Sequence, residues 1–152
     1  MIHIVTKGVI WKDPNAQIIF NPVSNSKSKL GQSIFNSNIK HEYPKVYNEY
    51  REYMIGESKR RLLGEIQLVQ IESKKLIMNG FVYDGNVLCP KAIMKTFVEL
   101  SNLIEEYEIS AAIPYNLGCK DEEMIKEIEQ ITNVIFCDCK QDVFVYKKKI
   151  RK

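Results

Sequence analysis

The stretch Ala111-Ala112-Ile113-Pro114-Tyr115-Asn116-Leu117-Gly118-Cys119 carries the fold reading of this chain. A short apolar run stops at Pro114 and opens into a polar loop containing Gly118, and Asp121-Glu122-Glu123 then reads as an acidic helix start. In an open α/β sheet, ligands bind in the crevice outside the carboxyl ends of the strands. Backbone amides at a helix start can hold an anion there. The three carboxylates work against that use. Asp121 can satisfy the free amides itself as an N-cap, and Glu122 and Glu123 add two negative charges within one turn. The helix dipole contributes about 1 kcal/mol, whereas two unit charges ~6 Å apart at an effective dielectric of about 20 interact by ~3 kcal/mol. A self-capped helix is the plain reading; Lys120 would offset part of the repulsion of a diphosphate.

Outward from this stretch, residues 2–6 and 17–20 read as short strands, with a turn at Asp13-Pro14-Asn15 between them. Residues 21–29 read as a polar loop and residues 31–39 as a helix. Pro44 suits the first turn of a second helix, whose stripe is Val46, Tyr47, Tyr50 and Met54. Residues 65–72 and 75–81 read as hairpin partners through Ser73-Lys74, and residues 83–86 as a turn at Gly85. Pro90 begins the clearest helix, in which Ile93, Phe97, Leu100, Ile104 and Tyr107 recur at spacings of three and four. Residues 109–113 form a buried strand, and the helix after Asp121 carries Met124, Ile125, Ile128 and Ile131. Residues 134–137 and 143–146 read as closing strands. Strands and helices interspersed, with hairpins at some joins, predict an α/β fold with a mixed central sheet and helices on both faces.

At 152 residues one domain is expected. A net charge of +3, from 22 basic and 19 acidic residues, is too balanced to point to nucleic acid. Part of that excess is the tail Lys147-Lys148-Lys149-Ile150-Arg151-Lys152, read as a solvated end. No apolar stretch approaches the ~20 residues of a membrane span, and no leader pattern opens the chain, so a cytoplasmic protein is expected. Cys137-Asp138-Cys139 falls at the end of an apolar run, where the two sulfurs would share a strand face. A metal site needs about four ligands, and neither His3 nor His41 is spaced with the cysteines to supply them. Cys89, Cys119, Cys137 and Cys139 are therefore read as buried free thiols, and no metal and no cofactor is assigned. No nucleophile is paired with a base, so no catalytic residue is assigned.

Four stretches resemble the macro domain family in its compact single-domain form. Gln17-Ile18-Ile19-Phe20-Asn21-Pro22-Val23-Ser24-Asn25 resembles the strand and asparagine-bearing loop near the family's start. Glu42-Tyr43-Pro44-Lys45-Val46-Tyr47-Asn48-Glu49-Tyr50 is similar to its tyrosine-proline helix, and Leu63-Gly64-Glu65-Ile66-Gln67-Leu68-Val69 to the strand that follows. Ile113-Pro114-Tyr115-Asn116-Leu117-Gly118-Cys119, the most specific of the four, resembles the second ligand loop. The resemblance implies a three-layer macro-domain-like fold over residues 1–147, with residues 148–152 as a basic tail. It also implies a cleft for ADP-ribose or a related NAD-derived nucleotide. Some members hydrolyse ADP-ribosyl esters or remove the phosphate from ADP-ribose 1''-phosphate, and compact members are frequent in bacteria and their phages.

The chain departs from the family pattern in three places. The family's adenine-bonding aspartate follows the glycine after the first strand; here Gly8 is followed by Val9. The first ligand loop is glycine-rich in the family; here Asn25-Ser26-Lys27-Ser28-Lys29-Leu30-Gly31-Gln32-Ser33 holds one glycine. The second loop lacks the glycines that normally follow its cysteine. Binding without strong catalysis is therefore expected; an ADP-ribose-directed hydrolase or phosphatase, and a protein-interaction domain with a closed cleft, are the alternatives.

The ligand residues that follow from the resemblance are Asn21, Asn25, Lys27, Lys29, Gly31, Ser33, Tyr83, Tyr115, Asn116, Gly118 and Cys119. Several have a plainer reading. Asn21 and Asn25, placed at a strand end, suit a ribose or local Asx turns. Lys27 and Lys29 bring charge to phosphate or simply solvate a loop. Tyr83 can stack on a base or form half-buried surface. Trp11 can flank an adenine pocket or pack at the sheet edge.

Overall fold

The computed structural model describes residues 1–26 and 34–147. Among the described residues there are seven strands: β1 (Ile2–Val5), β2 (Ile18–Ser24), β3 (Ile66–Glu72), β4 (Lys75–Asp84), β5 (Val87–Leu88), β6 (Ala111–Pro114) and β7 (Val143–Tyr146). The helices are α1 (Ile34–Glu42), α2 (Pro44–Met54), α3 (Lys59–Leu62), α4 (Pro90–Tyr107) and α5 (Glu122–Phe136), with a 3-10 turn at Ile10–Lys12. The strands form one sheet in the order β1-β7-β6-β2-β4-β3, and β5 pairs with β4. From β1 to β4 every pairing is parallel; β3 and β5 run antiparallel to β4. The expected mixed sheet is present, and five strands end on one edge.

Side-chain alternation sends the two halves of each central strand to different helices. Phe20, Met78 and Val82 pack on one face with Phe97, Leu100 and Ile104 of α4 and Ile128 and Phe136 of α5. Phe97 meets Phe20 edge-on at 5.2 Å and Phe136 at 5.6 Å between ring centres. Ile19, Val69, Ile77 and Ala112 pack on the other face with Ile39 of α1 and Val46 of α2. Val23 and Phe81 meet Tyr50, Met54 and Leu62 there. Helices on both faces complete the three layers. Among the described residues no helix is long and apolar enough to cross a membrane.

Several local expectations change. Residues 134–137 are not a strand but the last turn of α5 and its cap at Cys137. Val134-Ile135-Phe136 has strand propensity, yet the helical spacing from Ile128 continues and buries Phe136, so tertiary packing overrides propensity. Cys137 and Cys139 therefore share no strand face. The thiols are free, but Cys137 is exposed and the other three are half-buried rather than buried. β2 continues through Pro22 to Ser24, where a loop was expected. Its ladder to β6 ends at Ile19–Ala112, so past that point only the β4 side needs amides and a proline is tolerated. The hairpin turn at Ser73-Lys74 is as expected, but β4 runs on to Asp84 and a short β5 follows. Tyr107, placed in the α4 stripe, is exposed.

Candidate functional site

The β2–β6 ladder ends early. The two strands pair only at Ile18–Ala111 and Ile19–Ala112, after which β2 runs to Ser24 and β6 to Pro114. The chain therefore leaves β2 and β6 from neighbouring parallel strands whose pairing has already ended, the position at which α/β sheets bind ligands.

The wall on the β2 side is a closed network. Asn25 is buried; its Nδ2 donates to Asp84 Oδ1 at 3.0 Å, and its Oδ1 accepts the Gly85 N–H at 3.0 Å. Ser24 Oγ donates to Gly85 O at 2.8 Å. Tyr50 Oη reaches up from α2 and donates to Ser24 O at 2.5 Å. Burial raises the Tyr50 phenol above its usual range, and Tyr47 adds to the shift, so it stays a donor. These bonds pin the end of β2 to the β4–β5 turn.

The wall on the β6 side is a tight turn over residues 116–119. Cys119 N–H donates to Asn116 O at 2.8 Å, with Leu117 at φ +50° and Gly118 at φ +81°. Two successive left-handed residues are the signature of a type I′ turn. Gly118 suits it; Leu117, buried at 0% exposure, is a bulky residue in a region that side chains disfavour. The turn uses its own donors: Gly118 N–H goes to Asn116 Oδ1 at 3.0 Å and Leu117 N–H to Pro114 O at 3.3 Å. Asp121 N–H goes to Cys119 Sγ at 3.3 Å, and Asp121 Oδ1 accepts the Glu123 N–H at 3.1 Å. Asp121 thus caps α5 as the sequence suggested, and the amides of Leu117, Gly118, Cys119, Asp121 and Glu123 are engaged within the loop.

Asn25, Tyr83, Tyr115, Asn116, Gly118 and Cys119 all lie along this edge. Asn21 does not stand at a strand end. It is inside β2, 1% exposed, paired with Asn79 beneath α2, and lines a cavity of about 10 Å³ with Tyr47 and Tyr50. Tyr83 Oη donates to Leu117 O at 2.7 Å; burial raises this phenol too, with Cys119 contributing. Tyr115 faces a groove of about 160 Å³ beside Ile2, Ile4 and Val145, with Lys147 Nζ 5.6 Å from its ring centre. Lys27, Lys29, Gly31, Ser33 and the tail at residues 148–152 lie outside the described residues. Among the described residues no cluster of His, Cys, Asp and Glu is arranged to hold a metal.

One further feature of this edge escapes sequence reasoning. A groove of about 440 Å³ lies at the ends of β1 and β7, between Val5, Lys7, Val9, Lys12, Phe144 and Tyr146. It offers aromatic and aliphatic surface beside two cations. The Asp13 carboxylate on its floor is engaged, accepting from Tyr146 Oη at 2.5 Å and from Asn15 N–H at 2.8 Å. Lys75 Nζ donates to Asp13 O at 2.6 Å. The nearest sequence signal was Val9; Phe144 and Tyr146 come within reach only through the β1–β7 pairing. Trp11 packs against the α1 and α2 side of the sheet.

No protein-family model matches the chain, and no curated protein matches it in sequence. Solved structures do match. The macrodomain of Thermus aquaticus DarG superposes with a TM-score of 0.78 at 17% identity, over 97% of this chain and 98% of that one. A macrodomain protein from Streptomyces coelicolor gives 0.77 at 17% identity, over 98% and 100%. Thermosipho africanus DarTG, solved in complex with ADP-ribose, gives 0.70 at 18% identity, over 91% of this chain and 40% of that one. At these identities the likeness speaks for the fold, and the fold of this chain is that of a macro domain.

Proposed function

We propose that the chain binds ADP-ribose or a related NAD-derived nucleotide along the carboxyl edge of its parallel strands, without strong catalysis. The observation that carries this reading is the early end of the β2–β6 ladder at Ile19 and Ala112, beyond which a crevice would open between the two strands. One structural neighbour, the Thermosipho protein, was solved with ADP-ribose. The groove beside Val9, Phe144 and Tyr146 is wide enough for a base, and Lys7 and Lys12 supply charge toward phosphate. Lys27 and Lys29 of the first loop are further candidates. The weak-catalysis half of the reading draws on the second loop, in which several amides are engaged internally and Asp121 caps the helix start.

Calorimetric titration with ADP-ribose and its 1''-phosphate tests this directly. Micromolar binding that weakens with salt, with no phosphate released, is the expected result. No heat with either nucleotide, and no shift change at the two loops, would favour the alternative of a closed cleft serving protein contacts. Phosphate release at a rate matching active macrodomains would favour the enzyme.

A further inference from the structure

Tyr83 lies on the α4 and α5 side of the sheet, although simple alternation assigns it to the other. Phe81, two residues earlier, packs with Tyr50, Met54 and Leu62 on the α2 side. In an unbroken strand, residues i and i+2 share a face. Here the β2–β4 ladder pairs Val23 with Phe81 and then Ser24 with Tyr83, so Val82 is an extra residue and the register shifts. A bulge of this kind re-aims the side chain beside it. Val82 and Tyr83 both end up against the core under α4 and α5. From there the Tyr83 ring crosses beneath the end of β2. β4 and β6 flank β2, roughly 9–10 Å apart at two strand spacings, and a tyrosine is long enough for its hydroxyl to reach Leu117 O at 2.7 Å.

The acceptor is the residue that needs holding. Leu117 is left-handed at φ +50° with its side chain fully buried, so its peptide is at once disfavoured locally and anchored in the core. We propose that Tyr83 is a positioning residue: its hydroxyl locks the turn at residues 116–119 in its left-handed form and so presets the β6-side wall of the crevice. Stacking on a base is not its role, because its ring packs on the core and its hydroxyl is committed. For the ligand alone, this rests on the nucleotide-binding reading.

The test is Tyr83→Phe, which keeps the ring and removes the donor. Amide hydrogen exchange at Gly118 and Cys119 should quicken by on the order of tenfold, the equivalent of one neutral hydrogen bond, while exchange in α4 and β4 stays unchanged. ADP-ribose affinity should fall by a similar factor. Unchanged exchange at Gly118 and Cys119 would overturn the lock, as would a uniform quickening across the domain, which is what a merely structural tyrosine gives. Large ADP-ribose-induced shifts of the Tyr83 ring protons would overturn it in favour of stacking. If the unsubstituted protein binds no ADP-ribose, the nucleotide reading fails and the exchange comparison alone decides the role of Tyr83.

Discussion

Asn21 and Asn79 face each other across the β2–β4 ladder, and Asn21 Nδ2 donates to Asn79 Oδ1 at 2.9 Å in the middle of a sheet that is otherwise apolar there. Asn79 Nδ2 passes the chain on to Gln67 Oε1 at 3.1 Å, and Gln67 Nε2 ends it on Glu49 O at 3.0 Å. Three strands and α2 are thereby tied in one register. Asn79→Leu would strand the Asn21 donor and the Gln67 acceptor, and each buried orphan costs ~1–3 kcal/mol. Urea unfolding should show a loss on the order of 2–4 kcal/mol. The double change Asn21→Leu with Asn79→Leu should cost less than the two single losses added, since it removes both partners. Additive losses would mean the pair is not coupled.

Gly80 is constrained by space and Gly56 by backbone. A Cβ on Gly80 would fall 2.3 Å from Phe20 Cζ and 2.6 Å from Cε2, whereas one on Gly56 meets nothing within 4 Å but sits at φ +80°. Phe20 is itself held edge-on by Phe97 and cannot swing away cheaply. Gly80→Ala is therefore expected to cost ~1–3 kcal/mol through overpacking, and Gly56→Ala about 1–2 kcal/mol through strain. A chain of this size loses about 2–4 °C of Tm per kcal/mol. Near-UV circular dichroism should change only for Gly80→Ala, because only there must an aromatic move.

Local periodicity made α4 and the Asp121 cap legible in advance, since both depend on residues within four of each other. The strand expected at residues 134–137 fails for the complementary reason. Val134-Ile135-Phe136 looks like a strand by composition, and the packing of Phe136 against Phe97, from another helix, tips the balance to a helix end. The Tyr83 bulge is set by the pairing of β4 with β2, far apart in the chain, and no pattern within β4 announces it. The aromatic groove depends on β1 lying beside β7, the first and last strands joined. Asn21 lies inside β2 rather than at a strand end; Pro22 suggests a loop that the one-sided ladder does not require.

Three phenols should resist alkali until the fold gives way. Tyr50, Tyr83 and Tyr146 donate to Ser24 O, Leu117 O and Asp13 Oδ2 respectively. Burial is the first cause raising each, joined by Tyr47, Cys119 and Asp13 in turn. A phenol whose folded pKa lies above its unfolded value of about 10 contributes stability that is fully present below that pH and lost as pH rises through the folded value. Stability should thus hold to about pH 10 and decline above it. Absorbance at 295 nm should show part of the eight tyrosines ionising only together with loss of circular dichroism. All eight ionising near pH 10 with the dichroism intact would contradict the three bonds.

Asp121→Ala separates binding from catalysis. Asp121 Oδ1 accepts the Glu123 N–H at 3.1 Å, so its loss uncaps α5 and should cost about 1 kcal/mol of stability. The same change removes one of three carboxylates clustered at the start of α5, on the edge where the diphosphate of the proposed ligand would lie. Exposed charges interact weakly through water, so ADP-ribose affinity should rise only a few-fold, and only at low salt, where screening is slight. Replacing cations should act in the opposite sense. Lys7→Ala with Lys12→Ala, or Lys27→Ala with Lys29→Ala, should weaken binding more than Asp121→Ala alters it, and should flatten the salt dependence. If Asp121 instead served a reaction, Asp121→Ala would abolish turnover of ADP-ribose 1''-phosphate while leaving affinity near its starting value. Calorimetry at two salt concentrations beside a phosphate-release assay distinguishes the two outcomes, and tighter binding with no turnover to lose is the one expected.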